Sequence, residues 1–393
     1  MKQPVIVSAC RTAIGNFNGT LRSVPATRLG ALVISEVIRR AGLQPEAVDE
    51  VIMGCVLPHG MGQNPARQAC LQGGLPLDLE CLTINKVCGS GLKAVMLAAQ
   101  AVACGDAELV VAGGMENMNR CPYLLPKARQ GYRMGSAELV DGMVHDGLWD
   151  VNNDFHMGYT AELIADKFGI GREEMDAFAL SSYRKALAAQ QQGRFDDEIV
   201  TVTVDRGRKL PPLEFNRDEV PRETTLEALA QLRPAFKPDG RVTAGNSSKI
   251  SDGAAAVLVT SEERARELGL AVIARIGAQG AAAQDPKDVL VTPILSIPKV
   301  LKKAGLDIAD IDLHEVNEAF AVSTVAVMKE LGIPEQRLNV HGGAVALGHP
   351  IGASGARVLV TLLYALQQQD LKRGMASLCL GGGGAVSLIV ERP

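Results

Sequence analysis

Cys88 stands in the run Asn85-Lys86-Val87-Cys88-Gly89-Ser90-Gly91, where an apolar strand turns through small residues into a helix over residues 92–104. A helix N-terminus facing the sulfur brings partial positive charge that favours thiolate, and the flanking glycines let free N–H groups and a substrate come close. That suits a nucleophile. It also suits a buried structural cysteine at a tight turn, since free cysteine is a common core residue. His349, in Gly348-His349-Pro350-Ile351-Gly352, lies just before a second helix start. An imidazole there can take a thiol proton or polarise a carbonyl; capping the helix is the plainer alternative. Cys379 ends a strand ahead of Gly381-Gly382-Gly383-Gly384. A thiol there can act as a base beside glycine N–H groups that bind an oxyanion, or it can simply pack in the core. Asn317, after the apolar strand before Glu318-Ala319-Phe320, can hold a water or a substrate oxygen, or cap a helix.

These four residues need elements to bring them together, and the chain repeats its order of parts. Ala41-Gly42-Leu43 with Val48-Asp49 reads like Ala304-Gly305-Leu306 with Ile311-Asp312, and at nearly the same offset Ser90-Gly91 reads like Ser354-Gly355. Each copy then gives a helix, a short apolar strand and a glycine pair: Gly113-Gly114 in one, Gly381-Gly382 in the other. The pattern points to two similar α/β halves formed by internal duplication. By the same offset Gly352 answers to Cys88, so His349 would approach the pseudo-symmetric centre. Helices are expected near 27–40, 64–72 and 90–104, and strands near 51–55 and 109–112. The expected domains are residues 1–118 with 250–270, an inserted loop domain at 119–249, and residues 271–393. Within the insert, residues 157–192 read as two helices and 206–239 as a charged, proline-dotted excursion.

Composition narrows the function. The 393 residues are 47% hydrophobic with 41 glycines and only 4% aromatic, which suits layered α/β packing with close backbone approaches. A net charge of -4, with both signs scattered, argues against nucleic acid; an anionic ligand would have to be met by local basic residues. Eight cysteines without a Cys-x-x-Cys pair read as reduced thiols, so a cytoplasmic protein is expected, with no targeting signal and no membrane partner. His314-Glu315-Val316-Asn317-Glu318 lacks the second His of a zinc-protease helix, and there is no phosphate loop or dinucleotide fingerprint. No metal and no cofactor are expected.

Taken together, Cys88-Gly89-Ser90-Gly91, Asn317-Glu318-Ala319-Phe320, Gly348-His349-Pro350-Ile351-Gly352 and Cys379-Leu380-Gly381-Gly382-Gly383 resemble the active-site blocks of the thiolases. The resemblance extends over the chain through Arg11-Thr12-Ala13-Ile14-Gly15, Gly113-Gly114-Met115-Glu116-Asn117-Met118, His156-Met157-Gly158 and Thr243-Ala244-Gly245-Asn246-Ser247-Ser248. It implies a thiolase fold, two similar five-layered α/β halves with an inserted loop domain, acting on acetyl-CoA, acetoacetyl-CoA and CoA as substrates. It assigns attack to Cys88, activation of that thiol to His349 and proton abstraction from acetyl-CoA to Cys379. One oxyanion would be met by His349 and a water on Asn317, the other by the N–H groups of Cys88 and Gly381. For CoA it points to Leu148, His156, Met157, Arg222, Phe236, Ala244, Ser248 and Phe320. The stretch 119–146 resembles a loop through which tetrameric members clasp, implying a homotetramer.

One block departs from the short-chain pattern: Val289-Leu290-Val291-Thr292-Pro293 replaces a pocket-wall Met and two glycines. Acetyl and acetoacetyl groups are the expected cargo, with a broader-range 3-ketoacyl-CoA thiolase of fatty-acid β-oxidation as the alternative. Decarboxylating ketosynthases and hydroxymethylglutaryl-CoA synthases carry His or Glu where Cys379 sits. A non-catalytic acyl-CoA-binding protein would be expected to lack one of the catalytic residues, and none is lacking.

Overall fold

The computed structural model describes residues 1–393. Its first half contains β1 (Pro4–Thr12), α1 (Ala26–Arg40), β2 (Glu50–Gly54), α2 (Pro65–Gln72), β3 (Glu80–Ile84), α3 (Ser90–Cys104) and β4 (Leu109–Asn117). The insert contributes a small hairpin, Tyr123–Leu124 against Val140–Asp141, and the helices α4 (Met157–Phe168) and α5 (Arg172–Gln191). Then follow β5 (Ser251–Ser261), β6 (Ala274–Ala283), α6 (Pro293–Ala304), β7 (Leu313–Val316), α7 (Ala321–Leu331), α8 (Ile351–Gln368), β8 (Arg373–Leu380) and β9 (Gly384–Glu391).

The duplication reappears as identical pairing. In the first half β2 runs parallel to β3 and β4, β4 antiparallel to β5, and β5 antiparallel to β1. In the second, β7 runs parallel to β8, β8 antiparallel to β9, and β9 antiparallel to β6, with a His314–Leu338 parallel bridge where β3 would have its counterpart. The two sheets meet where β1 pairs with β6 at Val5–Arg275 and Ile6–Ala274.

Burial on both faces explains why the strands read as apolar runs rather than alternating ones. Along β5, Ala254, Ala256 and Leu258 face a core under α1 and α2, whereas Ala255, Val257 and Val259 face a core shared with α3 and α8. Along β8, Ala376, Leu378 and Leu380 join that shared core, while Met375 and Cys379 face a third core beneath α6 and α7. The layers therefore run helix, sheet, helix pair, sheet, helix. The central pair, α3 and α8, crosses at Gly91 and Gly355, equivalent positions of the two copies. A Cβ on Gly91 would meet the Ala356 nitrogen at 2.6 Å, and one on Gly355 would strike the Leu92 nitrogen.

Two local expectations change. The strand near 109–112 continues to Asn117, because Gly113-Gly114 lies inside it rather than ending it. A Cβ at Gly113 would strike the Ala255 carbonyl, and one at Gly114 the Gly352 carbonyl at the start of α8. The other pair, Gly381-Gly382, does form a turn, linking β8 to β9. The excursion at 206–239 contains a strand, Leu213–Phe215, paired with Val202–Val204, and a short helix, Leu226–Ala230. The insert is moored to β1 by fully buried Arg11, which donates to Glu198 at 2.6 Å and to Asp218 at 2.7 Å.

Candidate active site

Cys88 occupies the elbow between β3 and α3. The residue before it, Val87, has φ 47°, a left-handed conformation that a β-branched residue resists. Three contacts hold it there: Asn85 Oδ1 accepts from the Val87 N–H (2.9 Å), Ser90 Oγ accepts from the Lys86 N–H (2.8 Å), and Ser90 Oγ donates to the Val87 carbonyl (2.7 Å). Cys88 is half-buried, with the backbone N–H groups of Gly381 and of Cys88 itself directed at its sulfur. Burial of the sulfur outweighs them, pushing the thiol up to about 11. At rest Cys88 is then a thiol, and attack by its sulfur would require a base.

His349, 6% exposed, is anchored by its own N–H on the Lys249 carbonyl (3.0 Å). Its Nδ1 lies 2.6 Å from Ser354 Oγ, and that hydroxyl lies 2.9 Å from the Pro350 carbonyl. A serine hydroxyl has one proton. While Ser354 donates to Pro350, it must accept from Nδ1–H, leaving the Nε2 lone pair to take a proton; the Asn317 amide donates to that Nε2 at 3.5 Å. Burial, helped by the Arg357 charge, pulls His349 down to about 3, so it holds a second proton only transiently.

Asn317 hangs just beyond β7, its backbone N–H on the Ser377 carbonyl (3.0 Å). Its Oδ1 is buried without a partner, an acceptor free for a water or a substrate hydroxyl. The adjoining Glu318 is fixed by Ser182 Oγ (2.7 Å), Asn339 Nδ2 (2.8 Å) and the Val345 N–H (3.1 Å), which holds this loop rigid. Cys379 is buried at the end of β8, its thiol pushed up by burial and by neighbouring Cys88. A thiolate formed there would be a strong base.

Cys88, His349, Cys379 and Gly381 line one narrow cavity of ≈ 60 Å³, closed by Val87, Val289, Leu290 and Ile351. Leu148, His156, Ser248 and Phe320 also line this cavity and continue into a wider channel of ≈ 350 Å³, which adds Phe236, Ala244, Ser247 and Lys249; Met157 lines the narrow part. Aromatic packing shapes the channel: His156 stacks on Phe236 (4.8 Å between ring centroids), and Phe236 meets Phe320 edge-on at 6.2 Å. His156 caps α4, its Nδ1 accepting from the Gly158 N–H at 2.9 Å. Arg222 lines neither space. It lies over the Tyr183 ring, 5.9 Å from its centroid, in a separate surface recess with Arg184.

Sequence reasoning passed over two residues. Ser354 reads in the sequence only as a helix opener, although a hydroxyl in the first turn of a helix can reach back to a histidine just before that helix. Glu116 lay inside a matched run and received no role; only its place at the end of an all-apolar strand signalled it.

The chain matches the thiolase N-terminal domain over residues 4–263 and the thiolase C-terminal domain over residues 270–392. It is 55% identical over 393 residues, the whole of both chains, to an acetyl-CoA acetyltransferase of Pseudomonas aeruginosa. It is 53% identical over 393 residues, again the whole of both, to an acetyl-CoA acetyltransferase of Cupriavidus necator. Among solved structures, that of the Bacillus anthracis acetyl-CoA acetyltransferase superposes with a TM-score of 0.98 at 43% identity, covering 100% of this chain and 99% of the other.

Proposed function

The chain belongs to the thiolase family, and from that premise we propose that it is an acetyl-CoA C-acetyltransferase, joining two acetyl-CoA to give acetoacetyl-CoA and CoA, reversibly, through an acetyl-Cys88 intermediate. The observation that carries this is the convergence of Cys88, His349, Cys379 and Gly381 on a cavity with room for little more than a short acyl group.

In the first half-reaction the Cys88 sulfur attacks the acetyl-CoA carbonyl while His349 Nε2 takes the thiol proton. The tetrahedral oxyanion is received by the N–H groups of Cys88 and Gly381, already aimed at the sulfur's surroundings. An imidazolium is costly in this site, so His349 returns the proton to the departing CoA sulfur. In the second half-reaction Cys379 passes its thiol proton to Nε2 of His349 and, as thiolate, removes a proton from the methyl group of another acetyl-CoA. The enolate oxygen is met by Nε2–H of His349 and by a water on Asn317, while Nδ1–H stays on Ser354 Oγ. The carbanion attacks the thioester, Cys88 leaves as a thiolate, and the Nε2 proton of His349 restores its thiol, with Cys379 left protonated as at the start. Run backwards, the same steps are thiolysis.

CoA runs along the wider channel past Phe236, Ala244 and Ser248. Arg222, which lines neither space, is assigned no direct contact. Val289 and Leu290 close the acyl end, which supports acetyl and acetoacetyl groups over longer ones. A 3-ketoacyl-CoA series in the thiolysis direction tests this: acetoacetyl-CoA is expected to have the highest kcat/KM, and faster turnover of 3-ketohexanoyl-CoA would overturn it.

The hairpin at 123–141 supports a homotetramer, because it holds out Tyr123, Leu125, Met134 and Leu139 with 62%, 47%, 92% and 63% of their surface exposed. All eight cysteines are free thiols, two of them at the site, which suits a reducing compartment such as the cytoplasm.

A further inference from the structure

Glu116, at the end of β4, is fully buried, and three of the donors to its carboxylate are backbone N–H groups. Oε2 accepts from the N–H groups of Val56 (3.0 Å) and Gly352 (2.8 Å), and Oε1 accepts from the Leu57 N–H (3.2 Å). The Cys55 thiol approaches Oε1 at 3.7 Å. These donors come from two places. Val56 and Leu57 follow β2 in the first half, and the Val56 carbonyl in turn receives the side-chain amide of Asn85 (3.4 Å), the residue that pins strained Val87 beside Cys88. Gly352 opens α8 in the second half, three residues after His349 and next to Ile351, which closes the acyl cavity. The fit is close: a Cβ on Gly352 would lie 2.6 Å from Glu116 Oε2.

We propose that Glu116 is a positioning residue for acyl transfer: its ionised carboxylate clamps the turn that carries Cys88 to the helix start that carries His349, fixing nucleophile and base across the two halves. This rests on the acyl-transfer reading above. A carboxylate is required because only an all-acceptor group satisfies donors on both oxygens; a protonated acid or an amide turns a donor against an N–H group. Such a clamp acts on geometry, where displacements of about 1 Å cost about 10²-fold in rate. The titratable groups facing Glu116 are the thiols of Cys55, Cys88 and Cys121. Burial pushes Glu116 itself up to about 7, so the clamp is complete above neutrality and loosens as pH falls through that value.

The test is Glu116→Gln in the full-length enzyme. The expected result is a fall of at least about tenfold in kcat, with KM for acetoacetyl-CoA held within about twofold, because the CoA channel lies elsewhere. Wild-type kcat should rise with pH through about 7, and the variant should lack that rise. A mere loss of packing would lower the melting temperature and leave kcat per folded molecule and its pH profile alone. Turnover within about twofold of wild type, with the same pH profile, would overturn the proposal. Should the variant not fold, the wild-type profile decides: a flat kcat across neutrality overturns the clamp. Alkylation of Cys88 by iodoacetamide, which needs no acyl-CoA, separates this from failure of the functional reading. With His349 no longer held against the thiol, alkylation is expected to slow in Glu116→Gln, and a rate equal to or faster than wild type counts against the clamp even if the wild type fails to turn over acetyl-CoA.

Discussion

At Cys88 two opposing effects act on one sulfur, and burial wins: the thiol rises to about 11 despite the N–H groups aimed at it. In the mechanism proposed, deprotonation falls to His349, whose own depressed basicity makes it a relay rather than a store. Cys379 serves only the second half-reaction, so Cys379→Ala should still release one CoA per site from acetyl-CoA and acetylate Cys88. Its steady-state condensation should fall by about 10²- to 10⁴-fold, the usual worth of a positioned base. Pre-steady-state release of CoA, followed by a thiol reagent, reads both. Ser354→Ala should cost kcat in both directions, about tenfold or more, by freeing the His349 ring from its tautomer-setting partner; kcat equal to wild type would show that Ser354 only caps its own helix. Cys88, Cys379 and His349 were legible because each stands beside glycines in an apolar stretch, and Asn317 because it follows an apolar strand. Glu116 was illegible because its meaning depends on Gly352, 236 residues away. A helix N-terminus is readable in a sequence, whereas the burial that opposes it at the Cys88 sulfur is not.

The site is built from element ends: the β3–α3 elbow, the loop after β7, the turn before α8 and the end of β8. α3 and α8 are the pieces that bring the halves together, and their crossing at Gly91 and Gly355 leaves no room for a side chain. Gly355→Ala should therefore destabilise the fold by about 1–3 kcal/mol or prevent folding, as overpacked cores do. Urea unfolding measures this, and a variant as stable as wild type would mean that the crossing is looser than described. The short helical segment at 286–291 is the other decisive element, because it sets Val289 and Leu290 against the acyl cavity. Leu290→Gly should raise kcat/KM for 3-ketohexanoyl-CoA relative to acetoacetyl-CoA by about tenfold, the scale on which one or two methylenes are discriminated. An unchanged ratio would place the acyl tail elsewhere. Helices and strands of the first half were readable from periodicity to within a few residues. Gly113-Gly114 was misread as a strand end because glycine marks turns and close approaches alike, and only the packing partner distinguishes them.

On the scale of the whole molecule, the duplicated landmarks were visible in the sequence, and both copies pair their strands in the same order and sense. The repeat also showed that the copies differ at the site, with Gly352 standing where the first copy has Cys88; in the mechanism proposed the first copy supplies the nucleophile and the second the base at His349, the second thiol and Asn317. The insert covers the junction with Leu148, His156 and Phe236 and holds its apolar hairpin outward. Light scattering on the full chain is expected to give a tetramer, and replacing Met134 and Leu139 by Ser should yield a smaller assembly; a wild-type dimer would remove the hairpin from that role. The whole arrangement stands on one covalent event. Acetyl-CoA alone, incubated with the protein, quenched in acid and followed by peptide mapping, should leave one acetyl group on the peptide containing Cys88 and release an equal amount of CoA. An unlabelled Cys88, or an acetyl group found on Cys379 instead, would contradict the assignment of the nucleophile.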